Sequence, residues 1–325
     1  MAQIVRARRT PLRKKLSHIA RFKWLYIMLI PALIYYGVFK FIPVLNLRIV
    51  VQKYSPQLEL LGQASPMLTP WYKNFQIFFN HRDFWMLLRN TLTLAGLNIV
   101  FYFPFPIILA LLLNEIRNMR YKRVVQSVLY LPHFISWAVL ASIVLMLLGP
   151  SPNGLFNNMM ISLGRSEIPF MTSEQWFRPM YIIEIYWKEA GWGTIIYLAA
   201  LSGVDEQLYE AAVIDGAGRF KQLLHITLPS IKSTIIVLLI LRMGSFLDNG
   251  FDQIYLMLNS LNREVASVFD TYIYEVGLKG SIRPAPGISN YSYSAAIGVF
   301  RSVVGLIMVL ITNKCAKLVG EEGVY

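Results

Sequence analysis

The stretch YEAAVIDGAGRFKQLLHITLP, residues 209–229, is a polar interval between two strongly apolar segments. It carries an acid, two adjacent alanines, an Asp-Gly pair, a further glycine, two cations and a closing Leu-Pro. Helix-forming residues in EQLYEAAVI put Leu208, Ala211 and Ala212 on adjoining faces. Asp215-Gly216 predicts a stop and a turn, because glycine accepts a positive φ freely. AGRFKQLLHI resumes a helical pattern through Phe220, Leu223 and Leu224, and Pro229 suits the first turn of a following helix. The predicted geometry is helix, glycine turn, helix, span. Small residues on such a pair let another protein's backbone come close, and Glu210 offers a carboxylate to a partner's arginine. A solvated connector fits the same pattern, and the pattern alone leaves both open.

The surroundings are those of a membrane protein. Of 325 residues, 55% are hydrophobic and only 15% charged, with a mean hydropathy of +0.48; soluble domains carry about 25% charged residues. Apolar stretches at 23–45, 87–113, 124–148, 180–202, 231–258 and 291–313 reach the ~20 residues that a spanning helix needs. They run continuously instead of alternating, which predicts an all-α polytopic fold of six transmembrane helices and not a barrel. The opening MAQIVRARRTPLRKKLSHIARFK has eight cations and no acid. No small-x-small site follows the next apolar run, which is longer than a signal-peptide core, so it is expected to be a retained first span. The net charge of +13 gathers beside the apolar stretches, which points to membrane topology and not to nucleic acid. With the amino terminus in the cytoplasm, segments 1–23, 114–123, 203–232 and 314–325 lie inside and hold 17 Lys and Arg, against 8 in 51–86, 151–179 and 259–290. Both termini are then cytoplasmic. A single cysteine, Cys315, excludes an internal disulfide, and none of His18, His81, His133 and His225 pair at metal-binding spacing.

Two outer segments look amphipathic. WYKNFQIFFNHRDFW places Trp71, Phe75 and Phe78 on one helical face, and EVASVFDTYIYEVG does the same with Val265, Phe269, Tyr272 and Val276. Packing against the rim of the bundle competes with a docking rim for an extracytoplasmic partner. Pro31, Pro43, Pro104, Pro106 and Pro132 predict kinks. Charges inside spans cost about 2.5–3.5 kcal/mol each on insertion scales, yet Glu184, Lys188, Glu189, Arg242, Asp248, Asp252 and Arg301 all fall within or near them. Glu184 and Lys188, at i and i+4, are positioned to pair. A polar pathway through the fourth to sixth spans would be lined by Glu184, Trp187, Lys188, Trp192, Arg242, Asp248, Asp252, Tyr255 and Arg301. Structural pairing between helices accounts for the charges equally well, and interfacial belts account for the Trp and Tyr.

The spacing of the opening stretch adds a resemblance. Glu210-Ala211-Ala212, three residues, Gly216, nine residues, Ile226, one residue and Leu228-Pro229 resembles the EAA loop of ABC-importer permeases at every fixed position and gap. About Asn90 to Asn313 resembles the type I permease domain. GWGTIIYLAAL, RMGSFLDNGFDQIY and YSYSAAIGVFRSVVGLIMVLITNK are similar to the polysaccharide and oligosaccharide branch of maltose-type importers, including the membrane subunits of bacterial alginate importers. The resemblance implies a basic cytoplasmic segment 1–23, a first span with an extracytoplasmic segment over 24–86, a permease domain 87–313 containing a coupling loop 205–230, and a cytoplasmic tail 314–325. It implies that the loop sits in a cleft of a cytoplasmic ABC ATPase, with Glu210 paired to an arginine there, and assigns ATPase coupling to Glu210, Ala211, Ala212, Gly216, Ile226, Leu228 and Pro229.

The implied partners are a second permease subunit, two copies of the ATPase, an extracytoplasmic solute-binding protein, the saccharide and membrane lipid, with no nucleic acid. The chain has no GxxxxGK[ST] stretch. It is therefore expected to be no enzyme, to bind no cofactor, and to leave ATP and Mg to the partner ATPase. The implied location is the bacterial inner membrane. A uronate oligomer would suit Lys188, Arg242 and Arg301 if they face a cavity, while Glu184, Glu189, Asp248 and Asp252 oppose it. An ion-coupled secondary sugar transporter would use the intramembrane acids as ion sites, but it needs no ATPase dock. A channel, a membrane enzyme and an exporter fit the motif less well still.

Overall fold

The computed structural model describes residues 21–318 and 320. Most of the basic segment 1–23, with His18, and the end of the tail 314–325 lie outside these residues. The chain divides into two compact units, one ending at Trp71 and one beginning at Tyr72.

The first unit is dominated by α1, Lys23–Val51, a helical stretch of 29 residues. It runs past the predicted end at residue 45. No side chain from Lys23 to Tyr36 is buried, the pattern of a helix whose solvent is lipid. Pro43 cannot donate to the carbonyl of Phe39, and that carbonyl falls in a widened turn over Gly37–Phe41. The chain then folds back on itself, with Lys53 N donating to Pro66 O at 2.8 Å and Leu68 N to Val51 O at 2.9 Å.

The second unit contains α2 (Lys73–Phe79), α3 (Phe84–Asn114), α4 (Met119–Phe134), α5 (Trp137–Leu148), α6 (Glu174–Leu201), α7 (Glu206–Ile214), α8 (Arg219–Ser230), α9 (Lys232–Gly244), α10 (Phe251–Met257), α11 (Phe269–Gly277) and α12 (Asn290–Leu318). Among the described residues, only α1, α3 and α12 are single helices both long and apolar enough to cross a bilayer. The count of six depends on the rest. The predicted span 124–148 is two helices, α4 and α5, meeting at 98°. Pro132 and the extended Ile135 end the first, and Ser136 Oγ caps the second by accepting Val139 N at 3.3 Å. The predicted span 231–258 is also discontinuous, because α9 stops at Gly244 before α10 begins, and at its start α8 and α9 meet at 57°. Helix α6 has 28 residues, about 42 Å at 1.5 Å each, so it is long enough despite its five charges, Glu174, Arg178, Glu184, Lys188 and Glu189.

Glycines set the closest contacts. A Cβ on Gly193 would stand 2.9 Å from Pro106 Cγ on α3, and one on Gly305 would stand 2.6 Å from Gly244 O, so α6 and α12 approach their neighbours nearly to backbone distance. One aromatic cluster settles both amphipathic segments. Phe78 lies 5.1 Å from Phe84 and 5.7 Å from Phe269, ring to ring, and Tyr272, Val276 and Tyr293 complete the cluster. Val265 packs against a second cluster around Tyr181 and Ile254. Phe78, Phe269, Tyr272 and Val276 are therefore core and not a free docking rim. Phe75 is half-buried, and Trp71, in the other unit, is exposed.

A methyl group on Gly191 would meet the Leu129 carbonyl of α4, whereas one on Gly96 would meet nothing within 4 Å. Overpacking costs about 1–3 kcal/mol. Gly191→Ala should lower the melting temperature of the detergent-solubilised protein by several degrees, and Gly96→Ala should leave it level or raise it.

Candidate functional site

The loop after α6 is a rigid helix–turn–helix. Asp205 Oδ1 caps α7 by accepting Gln207 N at 2.9 Å. Gly216 has φ +73, and its turn is closed by Ala217 N donating to Ala212 O at 2.8 Å and Gly216 N to Val213 O at 3.0 Å. That is a Schellman stop, with glycine where a side chain would be strained. Gln222 Nε2 donates to Ala217 O at 2.8 Å, and the hydroxyls of Tyr209 and Thr227 meet at 3.0 Å to tie α7 to α8. Arg219 reaches Glu115, just beyond α3, at 3.8 Å. Leu223 and Leu228 pack into a cluster with Ile107, Tyr197, Leu201 and Ile231, which joins the loop to the spans.

The outer side of this unit is apolar and uncovered. Ile214 is 86% exposed, Phe220 73% and Val213 63%. Glu210 and Ala211 are exposed beside them. Glu210 has no ion pair among the described residues. Ala212, Ile226 and Leu228 are half-buried, Pro229 is exposed, and Gly216 makes the turn. The motif residues therefore share one small body. The Tyr209–Thr227 and Gln222 contacts that stiffen it carry no signal in the sequence spacing.

The candidate pathway residues separate into groups. The expected Glu184–Lys188 pair is not what α6 builds. Buried Glu184 accepts from Gln253 Nε2 at 3.0 Å, and Gln253 also donates to Tyr181 O at 2.9 Å. Buried Lys188 turns to the elbow between α4 and α5: its Nζ is 2.8 Å from His133 O, 3.1 Å from Glu189 Oε1 and 5.2 Å from the Trp137 ring centre. Glu189 Oε2 lies 2.7 Å from His133 Nδ1, and Trp192 stacks on that imidazole at 4.3 Å. Arg301 forms an ion pair with Asp270 and donates to Leu247 O at 3.3 Å. With Asp248 it lines a cavity of about 220 Å³. Tyr255 stacks with Phe251 and meets Tyr274 edge-on. Arg242 is half-buried, and Trp187 and Asp252 are exposed.

Two consequences follow. Lys188 and Arg301 already have carboxylate partners, so they are not free cations awaiting an anionic ligand. Residues that the sequence did not place at the site, His133, Gln253 and Asp270, hold the charged ones, and Tyr181, Asn98 and Asn249 form a neutral network beside them. Asn98 Nδ2 donates to the Tyr181 hydroxyl at 2.7 Å, that hydroxyl donates to Asn249 O at 2.8 Å, and Asn249 Nδ2 donates to Thr91 O at 3.1 Å.

Removing one member of a fully buried ion pair costs about 3–5 kcal/mol, because the other is left uncompensated, and the Arg301–Asp270 pair, whose side chains are 19% and 14% exposed, falls toward the lower end. Asp270→Asn should therefore destabilise the solubilised protein strongly, and the double variant Asp270→Leu/Arg301→Met should recover most of the loss in thermal unfolding. Equal losses in both would mean that the uncompensated Arg301 charge is not the source of the loss.

Residues 102–319 match the family of the binding-protein-dependent transport system inner membrane component. Over 303 residues the chain is 49% identical to the polygalacturonan/rhamnogalacturonan transport system permease protein YteP of Bacillus subtilis (strain 168), covering 93% of this chain and 90% of that one. A crystal structure of a bacterial alginate ABC transporter in complex with an alginate pentasaccharide-bound periplasmic protein contains a chain 38% identical, with a TM-score of 0.81 over 95% of this chain and 99% of that one. A second structure, of a bacterial ABC transporter involved in the import of the acidic polysaccharide alginate, gives 38% identity and a TM-score of 0.80 over 94% and 98%.

Proposed function

The chain belongs to the family of binding-protein-dependent transport system inner membrane components, and on that premise we propose that it forms half of the translocation pathway of an ATP-driven importer for an acidic oligo- or polysaccharide. The type I importer fold and the role of transport permease, not enzyme, come with the family. The cargo rests on the polygalacturonan and alginate of the relatives. A second permease subunit completes the pathway, two copies of a cytoplasmic ATPase use ATP and Mg, and an extracytoplasmic solute-binding protein delivers the saccharide. This chain binds no cofactor of its own and no nucleic acid. It crosses the inner membrane several times with both termini in the cytoplasm. The ion-coupled carrier has no support from the relatives.

One observation carries the coupling assignment: a stiff helix–turn–helix projects exposed Ile214, Phe220 and Glu210 while its base is packed into the spans. An exposed apolar surface rimmed by charge is what a protein interface requires. ATP binding closes the ATPase pair, the seated loop moves with it, and α8 passes the motion into α9. Ala211 and Ala212 keep the contact close, Gly216 sets the angle between α7 and α8, and Ile226, Leu228 and Pro229 join the loop to the span.

Glu210→Ala should abolish uptake in reconstituted vesicles while membrane insertion persists, and should weaken ATPase binding by more than roughly tenfold. Unchanged uptake together with unchanged ATPase affinity would remove the coupling role. Uptake should also stop on ATP depletion with ion gradients held constant; uptake that instead follows the gradients would identify a secondary carrier.

A further inference from the structure

A cavity of about 900 Å³ opens at the end of the bundle away from the coupling loop. Helix α3 fixes that placement. Asp83, which lines the cavity, immediately precedes Phe84, while Glu115, paired with Arg219 of α8, immediately follows Asn114. The 31 residues between them span about 46 Å. The cavity volume lies in the ~300–1,000 Å³ range of small-molecule sites. Its wall carries Arg82, Arg263 and Arg283 together with His81, Asp83 and Glu264.

The arginines differ from the cations inside the spans. The Arg82 side chain is 89% exposed and only its Nε lies near Asp83, at 3.5 Å, which leaves the terminal nitrogens open. Arg263 uses one nitrogen toward Glu275 at 3.4 Å. Arg283 is exposed and has no ion pair among the described residues. A guanidinium fork matches a carboxylate. Glu264 and Asp83 offer acceptor oxygens of the kind that sugar hydroxyls donate to, and they would repel a compact polyanion such as phosphate. Met86 and Ile282 add apolar wall of the kind a pyranose C–H face covers. The lining as a whole fits a hydroxylated ring that bears a carboxylate.

We propose that this cavity is an entry subsite for a uronate residue of the saccharide, with Arg82 and Arg283 as its carboxylate ligands and Arg263 beside them. The proposal rests on the saccharide-import function above and adds to it where the charge of the cargo is read. Recognition of the negative charge then takes place at the extracytoplasmic mouth, and the paired charges of α6 and α12 serve the structure of the pathway.

The test uses the complete complex, with its ATPase and binding protein, in liposomes. Uptake of a galacturonate oligosaccharide is measured at saturating loaded binding protein, and the half-saturating binding-protein concentration is read from ATPase stimulation. Arg82→Gln/Arg283→Gln should cut uptake at least about fivefold at low ionic strength, with a smaller loss in high salt. Arg82→Lys/Arg283→Lys should keep most of the uptake, and the half-saturating concentration should not change in either variant. Full uptake in the glutamine variant overturns the subsite. So does equal loss in the lysine variant. A raised half-saturating concentration also overturns it and assigns the arginines to docking the binding protein. If the unaltered complex fails to import the oligosaccharide, the saccharide function itself falls, and the subsite with it.

Discussion

The backbone from Ser245 to Gly250 is the constraint on which the bundle depends. It lies between α9 and α10, about 20 Å along a segment that begins at Lys232, and it is not helical. Lipid offers no hydrogen bonds, so irregular backbone at that depth persists only where protein supplies them. The neighbours do so. Tyr181 of α6 donates to Asn249 O, Arg301 of α12 to Leu247 O, and Asn98 and Thr91 of α3 hold Tyr181 and Asn249 in turn. Gly250, at φ +81, lets the chain re-enter a helix. Three helices thus converge on one short break, and their polar residues are fixed by its needs.

This explains why charges persist inside the spans. Arg301 donates to the break and pairs with Asp270 at the start of α11. Glu184 is held by Gln253, on the helix that leaves the break. Lys188 and Glu189 serve a different irregularity, the elbow between α4 and α5, where Lys188 bonds the carbonyl of His133. Lys188, Glu189 and Arg301 each sit against a place where a helix stops or turns. Cationic groups are suited to that task because one side chain can pair with a carboxylate and cap a backbone carbonyl at once.

The sequence made some of this legible. The helix–Gly216–helix geometry followed from local chemistry, since a positive φ at glycine and a periodic apolar face are both short-range properties. The unbroken spans α1, α3 and α12 followed from apolar length. The break in 231–258 did not, although Gly244 and Asn249-Gly250 lay in view, because hydropathy averages over a few polar residues and registers no hydrogen-bond geometry. The pairing of Lys188 failed for a similar reason. Spacing at i and i+4 made Glu184 its obvious partner, but His133 is 55 residues away in sequence and reaches it only after α4 bends. The roles of Gln253, Asp270 and Tyr181 are long-range in the same way.

The loop and the break lie on one mechanical path. Leu223 and Leu228 fix the loop's base among Ile107, Tyr197 and Ile231, and α9 runs from there to the break. Gly244, at its end, lies almost in backbone contact with Gly305 of α12. Elsewhere α9 packs through the side chains of Ile235 and Leu238. Beyond Gly244 the break is held by hydrogen bonds from side chains of α3, α6 and α12. Such bonds contribute about 0.5–1.5 kcal/mol each. A continuous helix from α9 into α10 would satisfy its own carbonyls and need none of them. The polar set around Asn249 therefore does two things at once: it satisfies the backbone of the break and it ties α3, α6 and α12 to one point of the fold.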